Sequence, residues 1–210
     1  MKPTRTVHQA DAIAWLQQNE LPADSAIVTS LPNVDEFQHD NLAKWREWFG
    51  TAAELVMQKT PQQSAAVFFQ TDIKHDGVWI DKSFLLQQAA ERTNCQLIWH
   101  KNVLRAPIGI TTNARPGYAH ILCFAPELRS NNDNATPDIL PQLGDMDWPR
   151  AMGRDVAAFA VKWLKQHADA KTIVAPFCGT GTALATANEH GLHSIGIERS
   201  SSRASKARLL

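Results

Sequence analysis

Two strings in this chain hold residue types that could bind and turn over a small ligand. One is the glycine-rich turn Pro176-Phe177-Cys178-Gly179-Thr180-Gly181-Thr182, set between the β-branched run Thr172-Ile173-Val174 and the helix-forming stretch 183–190. Glycines there let the backbone take positive φ and let a ligand approach closely. The helix N-terminus behind the turn offers unpaired N–H groups to a carboxylate or phosphate. A second apolar strand, 194–197, ends on Glu198, an acid about 20 residues beyond the turn and placed to accept hydrogen bonds from ribose hydroxyls. The other string is Ser30-Leu31-Pro32-Asn33, at the end of the apolar run 26–29. Asp35, Glu36 and Asp72 lie near predicted strand ends and are candidate proton acceptors; the alternative for each is a solvated or capping acid.

The wider string Ala175–Thr182, APFCGTGT, resembles the DPFCGSGT signature of S-adenosylmethionine (SAM) methyltransferases, especially those that methylate exocyclic amino groups in DNA. The resemblance implies that Phe177, Cys178, Gly179, Thr180 and Gly181, with Pro176 and Thr182 at the ends of the turn, wrap the methionine part of SAM. It also implies that Glu198 holds the ribose. The family's leading Asp is Ala175 here.

The N-terminal region resembles the GD…L…DLIVTSPPY opening of the same enzymes, in which a target-site half precedes the SAM half by circular permutation. By that resemblance Asp11 contacts the SAM adenine; read from its surroundings alone it is a helix N-cap, and the roles can coexist. The family's Ser-Pro-Pro-Tyr type motif accepts the amine's hydrogens on its first residue and the adjoining carbonyl, and stacks its aromatic on a flipped base. Here Ser30 and Pro32 are kept, while Leu31 and Asn33 replace the first Pro and the aromatic. Ser-Leu-Pro followed by Asp35-Glu36-Phe37 also looks like a string of RNA methyltransferases that modify ring N1 of a tRNA guanine, though those are not permuted.

The elements that must position these strings come earlier in the chain. Residues 5–9 read as a strand, 12–18 as a short helix, and 40–58 as an amphipathic helix with Leu42, Trp45, Phe49, Ala52 and Val56 on one stripe. Residues 65–69 read as a strand, 74–77 as a polar turn, and Asp81 as the cap of a helix to Arg92. Strands 96–100 and 119–124 flank a loop, 101–116, and could pair antiparallel. The segment 130–147 is polar and proline-rich, and 154–166 is an amphipathic helix. The stretch 148–153 is a candidate far wall of the methionine pocket. The expectation is one α/β domain over 1–210: a doubly wound, mostly parallel, Rossmann-like methyltransferase sheet in permuted order. Its target-site half is 1–147 and its SAM half 148–210.

Formal net charge is zero, with 21 basic and 21 acidic residues, which argues against a free-standing tight binder of duplex DNA. Yet no acid occurs between Arg92 and Pro126. Lys101, Arg105 and Arg115 could form a lip on a nucleic-acid backbone, with Phe37 and Trp79 as further candidates to hold a base; a plain surface connection is the alternative. The basic tail Arg199, Arg203, Lys206 and Arg208 reads as a solvated helix face. Cys95, Cys123 and Cys178 lack metal-site spacing and read as reduced, no run is long enough for a signal peptide or membrane span, and a cytoplasmic location is expected. The reading favoured is a SAM-dependent nucleic-acid methyltransferase with no metal, acting on RNA, in particular tRNA. Amino-methylation of DNA is the first alternative; a protein or small-molecule substrate, or a non-catalytic subunit of this fold, are the others.

Overall fold

A computed structural model describes residues 2–36, 41–113, 115–131 and 135–210. Its main sheet is built from β1 (Arg5–Gln9), β2 (Ser25–Thr29), β3 (Ala66–Gln70), β6 (Gln96–Leu104), β7 (Tyr118–Ala125), β8 (Ile139–Leu140), β9 (Thr172–Pro176) and β10 (His193–Glu198). A separate hairpin joins β4 (Ile73–His75) to β5 (Val78–Ile80). The sheet runs β1-β10-β9-β2-β3-β7-β6-β8. The pairs from β1 to β3 are parallel, and β7 is antiparallel to both β3 and β6.

Strand composition explains the order. β2, β3 and β9 are buried at every position, as the central strands of a sheet covered on both faces must be. Alternation then sorts their side chains. Ile27, Ala66, Phe68 and Val174 meet α1 (Ala12–Gln18), α2 (Leu42–Gln58) and α3 (Lys82–Glu91) on one face. Ala26, Val28, Val67, Phe69, Ile173 and Ala175 meet α4 (Arg154–His167), α5 (Thr182–Glu189) and α6 (Ser201–Leu209) on the other. Each large side chain removed from water in this way contributes on the order of 1.5–3 kcal/mol.

Helix starts follow local chemistry. Asp11, Asn41, Asp81 and Ser200 each accept a backbone N–H of the first turn. Three expectations change. The strand expected to end at His100 continues to Leu104, because Val103 is buried opposite Ala119 and the pairing with β7 persists to Tyr118. Lys101 therefore lies within the sheet, not in a loop. The expected polar turn at 74–77 is the tip of the β4–β5 hairpin, where Asp76 and Gly77 take φ of 50° and 76°, as a two-residue hairpin turn requires. The proline-rich segment contains β8, which adds to the edge of β6. Among the described residues no helix is long and apolar enough to cross a membrane.

Candidate functional site

The glycine-rich turn and the Ser-Leu-Pro-Asn turn leave the sheet side by side. β9 and β2 pair in parallel with Val174 opposite Ile27, so Pro176 and Thr29 lie level two residues on. The Thr29 hydroxyl donates to the Pro176 carbonyl at 2.6 Å and ties the two exits together. Beyond them opens a cavity of about 1040 Å³, lined from both turns.

On the glycine side the backbone is shaped by positive φ at Phe177 (58°), Gly179 (57°) and Gly181 (95°). A Cβ on Gly179 would meet nothing within 4 Å, so that space belongs to the cavity. A Cβ on Gly181 would lie 2.9 Å from the Ala207 backbone, so this glycine is required by the packing of α6. The Glu198 carboxylate faces the turn: Gly179 N–H donates to Oε2 at 3.0 Å and Ser200 N–H to Oε1 at 2.7 Å. The Thr180 hydroxyl is buried with no hydrogen-bond partner. Burial, with the Glu198 charge added, pushes the Cys178 thiol up to about 12, so it stays protonated. Trp48 packs edge-on to Phe177 at 5.9 Å, and Asp11 lines the same end while capping α1.

A wall closes this end. Asp147 accepts from the Thr182 hydroxyl at 2.8 Å and from Arg154 at 3.1 Å. Next to it Trp148 stacks under the Arg203 guanidinium at 4.7 Å. Trp148, Arg150, Ala151 and Met152 line the cavity, in the place expected of 148–153.

On the other side the Ser30–Asn33 turn is pinned from three elements. Trp45 Nε1 of α2 donates to the Pro32 carbonyl at 3.1 Å, and Gln70 Nε2 of β3 reaches the Leu31 carbonyl at 3.5 Å. Lys82 Nζ of α3 donates to the Asn33 Oδ1 and, at 3.3 Å, to the Gln70 Oε1. Lys82 is buried over the Trp45 and Phe49 rings. Burial lowers its pKa to about 8, and Asp72, Glu36 and Asp35 only partly restore the charged form.

The candidate acids are all held by other groups. Asp35 pairs with Arg150 at 2.7 Å, and Glu36 with Arg203 at 3.4 Å, which forms an ionic strap over the cavity. Asp72 is buried and accepts from Lys82 N–H (2.9 Å), Trp79 Nε1 (3.1 Å) and the His120 ring (3.1 Å). Burial would raise its pKa, but those donors outweigh it and hold the carboxyl below the usual range. As arranged, Asp72 is an anchor for the β4–β5 hairpin and for β7, not a free base.

Of the basic candidates, Arg105 and Arg115 line the cavity, and Arg105 donates to the Thr71 hydroxyl at 2.9 Å. Lys101 does not reach it; its ammonium is spent on the Thr136 carbonyl and Asp138 at the β8 edge. Trp79 supports Asp72 from behind rather than lining the cavity. Phe37 lies outside the described residues. Lys82, Gln70 and Asp147 were not found from sequence, because each acts through partners distant along the chain.

Neither a protein-family model nor a curated relative matches the chain. Solved structures do. The PvuII DNA methyltransferase (cytosine-N4-specific) superposes with a TM-score of 0.78 at 15% identity, over 100% of this chain and 89% of that one. The Thermus thermophilus protein TTHA0409, complexed with S-adenosyl-L-methionine, gives 0.72 at 15% identity over 97% and 91%. The M1.HpyAVI–SAM complex gives 0.66 at 15% over 98% of each chain. The chain has the methyltransferase fold. Within that fold the cavity sits where ligands of open α/β sheets bind, at the carboxyl ends of adjacent strands.

Proposed function

We propose that this protein is a SAM-dependent methyltransferase that modifies an exocyclic amine of a DNA base. The observation that carries the reading is one cavity lined on one side by Phe177, Cys178, Gly179 and Thr180 with Glu198, and on the other by Ser30, Leu31, Pro32 and Asn33. The first set fits SAM: open space at Gly179, an unpartnered buried hydroxyl at Thr180 and a carboxylate at Glu198 are what an amino-acid and ribose ligand needs. Asp11, Phe177 and Trp48 would enclose its adenine side. Bound SAM supplies an activated methyl group on a sulfonium.

The residues of the chain then bind and orient the acceptor. Ser30 and the Leu31 carbonyl accept the amine's hydrogens and hold its nitrogen toward the methyl. Among the described residues the carboxylates lining that side, Asp35, Glu36 and Asp72, are all held by other groups, which suits an amine that sheds its proton after transfer better than a ring nitrogen that must lose one first. This argues against the ring-N1 chemistry of tRNA, and the similar PvuII enzyme is a DNA methyltransferase, so the preference for RNA drawn from sequence gives way to DNA. Arg105 and Arg115 would meet phosphates at the rim.

We also read the chain as circularly permuted and as a single domain, with 1–147 the target-site half and 148–210 the SAM half. β1 and α6 adjoin, and β10 follows β9 at the far end of the sequence. The test is calorimetry with SAM, followed by transfer of radiolabelled methyl to DNA and to RNA. Binding with label in DNA is expected. Ser30→Ala should keep SAM affinity and lose turnover; label in RNA alone, or full turnover by Ser30→Ala, would refute the assignment.

A further inference from the structure

Lys82 occupies an expensive position. It is the first residue of α3, where a cation opposes the helix dipole, and it is buried. What surrounds its ammonium is specific: the side-chain oxygens of Asn33 and Gln70 and the faces of Trp45 and Phe49. An ammonium can only donate, so both amides must turn their oxygens toward it. That fixes orientations which are otherwise ambiguous. Gln70 then directs its Nε2 to the Leu31 carbonyl. Asn33, which lines the cavity, is left with its N–H₂ as the group able to meet a ligand.

We infer that Lys82 is a positioning residue of the acceptor site: by holding the Asn33 amide oxygen it presents the Asn33 N–H₂ to a hydrogen-bond acceptor on the incoming base, a ring nitrogen or carbonyl oxygen next to the amine. The inference rests on the methyltransferase reading above and adds how the acceptor is selected. Asn33 offers no ring for stacking, so recognition at this position runs through a polar edge. A substrate carrying an amine but no neighbouring acceptor would leave the amide unpaired, and an unpaired polar group in a closed site is discriminated against strongly.

The device depends on the charge of Lys82. The groups facing it are Asp72 between β3 and β4, Asp35 and Glu36 after the Ser30–Asn33 turn, Arg115 from the β6–β7 loop, and the aromatic faces of α2. Its pKa of about 8 lies below the ordinary lysine value. Below that pH the amine is protonated and Asn33 is held. As pH rises through it the amine becomes neutral, can itself accept a hydrogen bond, and no longer dictates which way the amide turns.

The experiment has two arms. The first measures KM and kcat for DNA, and the SAM dissociation constant, from about pH 6.5 to about pH 9.5. For the wild type, KM for DNA should rise roughly tenfold across the titration, the size of one charge-dependent hydrogen bond, while SAM affinity stays level. Lys82→Arg, which does not titrate, should keep the low KM without the rise; Lys82→Met should show the high KM at every pH while binding SAM normally. A wild-type KM and pH profile in Lys82→Met would overturn the proposal. The second arm needs no turnover: nuclear magnetic resonance of 13Cε-labelled lysines in wild type and Asn33→Leu. Loss of the Asn33 oxygen should shift the Lys82 titration to lower pH, and an unmoved titration would overturn the contact. If the wild type transfers no methyl to DNA, the DNA reading fails while this second arm still decides the Lys82–Asn33 pair.

Discussion

The Glu198 carboxylate is engaged twice by backbone, accepting from the N–H groups of Gly179 and Ser200. Its carboxylate therefore shapes the glycine-rich turn before any ligand arrives, and each oxygen keeps a lone pair for a ribose hydroxyl. Glu198→Ala should weaken SAM binding by about 1.5–3 kcal/mol for the charge-assisted contact, and loosening of the turn adds to that. Glu198→Gln, which keeps one acceptor oxygen, should lose less. Gly179→Val separates ligand from fold: at φ 57° a branched residue is strained by about 1–2 kcal/mol, yet its Cβ would meet no protein atom within 4 Å. Calorimetry should find SAM binding abolished in a protein that still unfolds cooperatively; SAM binding intact in both Glu198→Ala and Gly179→Val would mean the cofactor sits elsewhere. These residues were legible in sequence because the turn is contiguous and its glycines answer to backbone geometry. Lys82 was not: its partner Asn33 lies 49 residues away, and nothing in Asp81-Lys82-Ser83 distinguishes a buried ammonium from an exposed one. Asp72 was legible as an acid at a strand end but not as one whose lone pairs are filled by Trp79, His120 and the Lys82 backbone.

Helix α5 has Gly181 at its N-cap, which has no side chain to cap it. Asp147 supplies what the sequence leaves out. It accepts from the Thr182 hydroxyl in the first turn of α5 and from Arg154 in the first turn of α4, and it carries Trp148 to the cavity wall. A carboxylate near a helix N-terminus is favourable in its own right. Asp147→Ala should lower stability by about 1–2 kcal/mol, seen as a lower urea midpoint at unchanged slope. SAM should also bind more weakly, since the wall loses its anchor. An unchanged midpoint would show that Asp147 is merely a surface acid. Elements such as α2 and α3 were legible because their caps and apolar stripes lie within a few residues of one another. β8, with only Ile139 and Leu140, and the extension of β6 through Lys101 were not, since both exist by pairing with a neighbour that local sequence does not name.

At the scale of the whole chain, one mostly parallel sheet was readable from where two motifs fall, since the glycine-rich strand comes late and needs partners that come early; the order β1-β10-β9-β2-β3-β7-β6 was not, apart from the antiparallel β6–β7 pair. The permuted reading has a physical consequence. α6 packs on β1, with Arg5 donating to the Ala207 carbonyl at 3.1 Å and Arg208 to the Val7 carbonyl at 3.0 Å, so the two ends of the sequence are held together by the folded core. Of the described residues between β7 and β8, Leu128 packs against one core layer, while Leu143 and Met152 enter the core only after β8. A variant with the two ends joined by a flexible linker on the order of eight residues, and opened between residues 131 and 135, keeps every sheet pairing and both apolar layers. It should unfold cooperatively within a few degrees of the parent, because only loop entropy changes, and that grows slowly with loop length. It should also bind SAM with the parent's affinity, because β9, β10 and the glycine-rich turn stay contiguous and β2 still lies beside β9. The checks are thermal unfolding and calorimetry on the purified variant. A relinked chain that stays folded but no longer binds SAM would show that the site depends on leaving β1 and α6 unjoined and not on the sheet order, and one that fails to fold would sink the permuted reading itself.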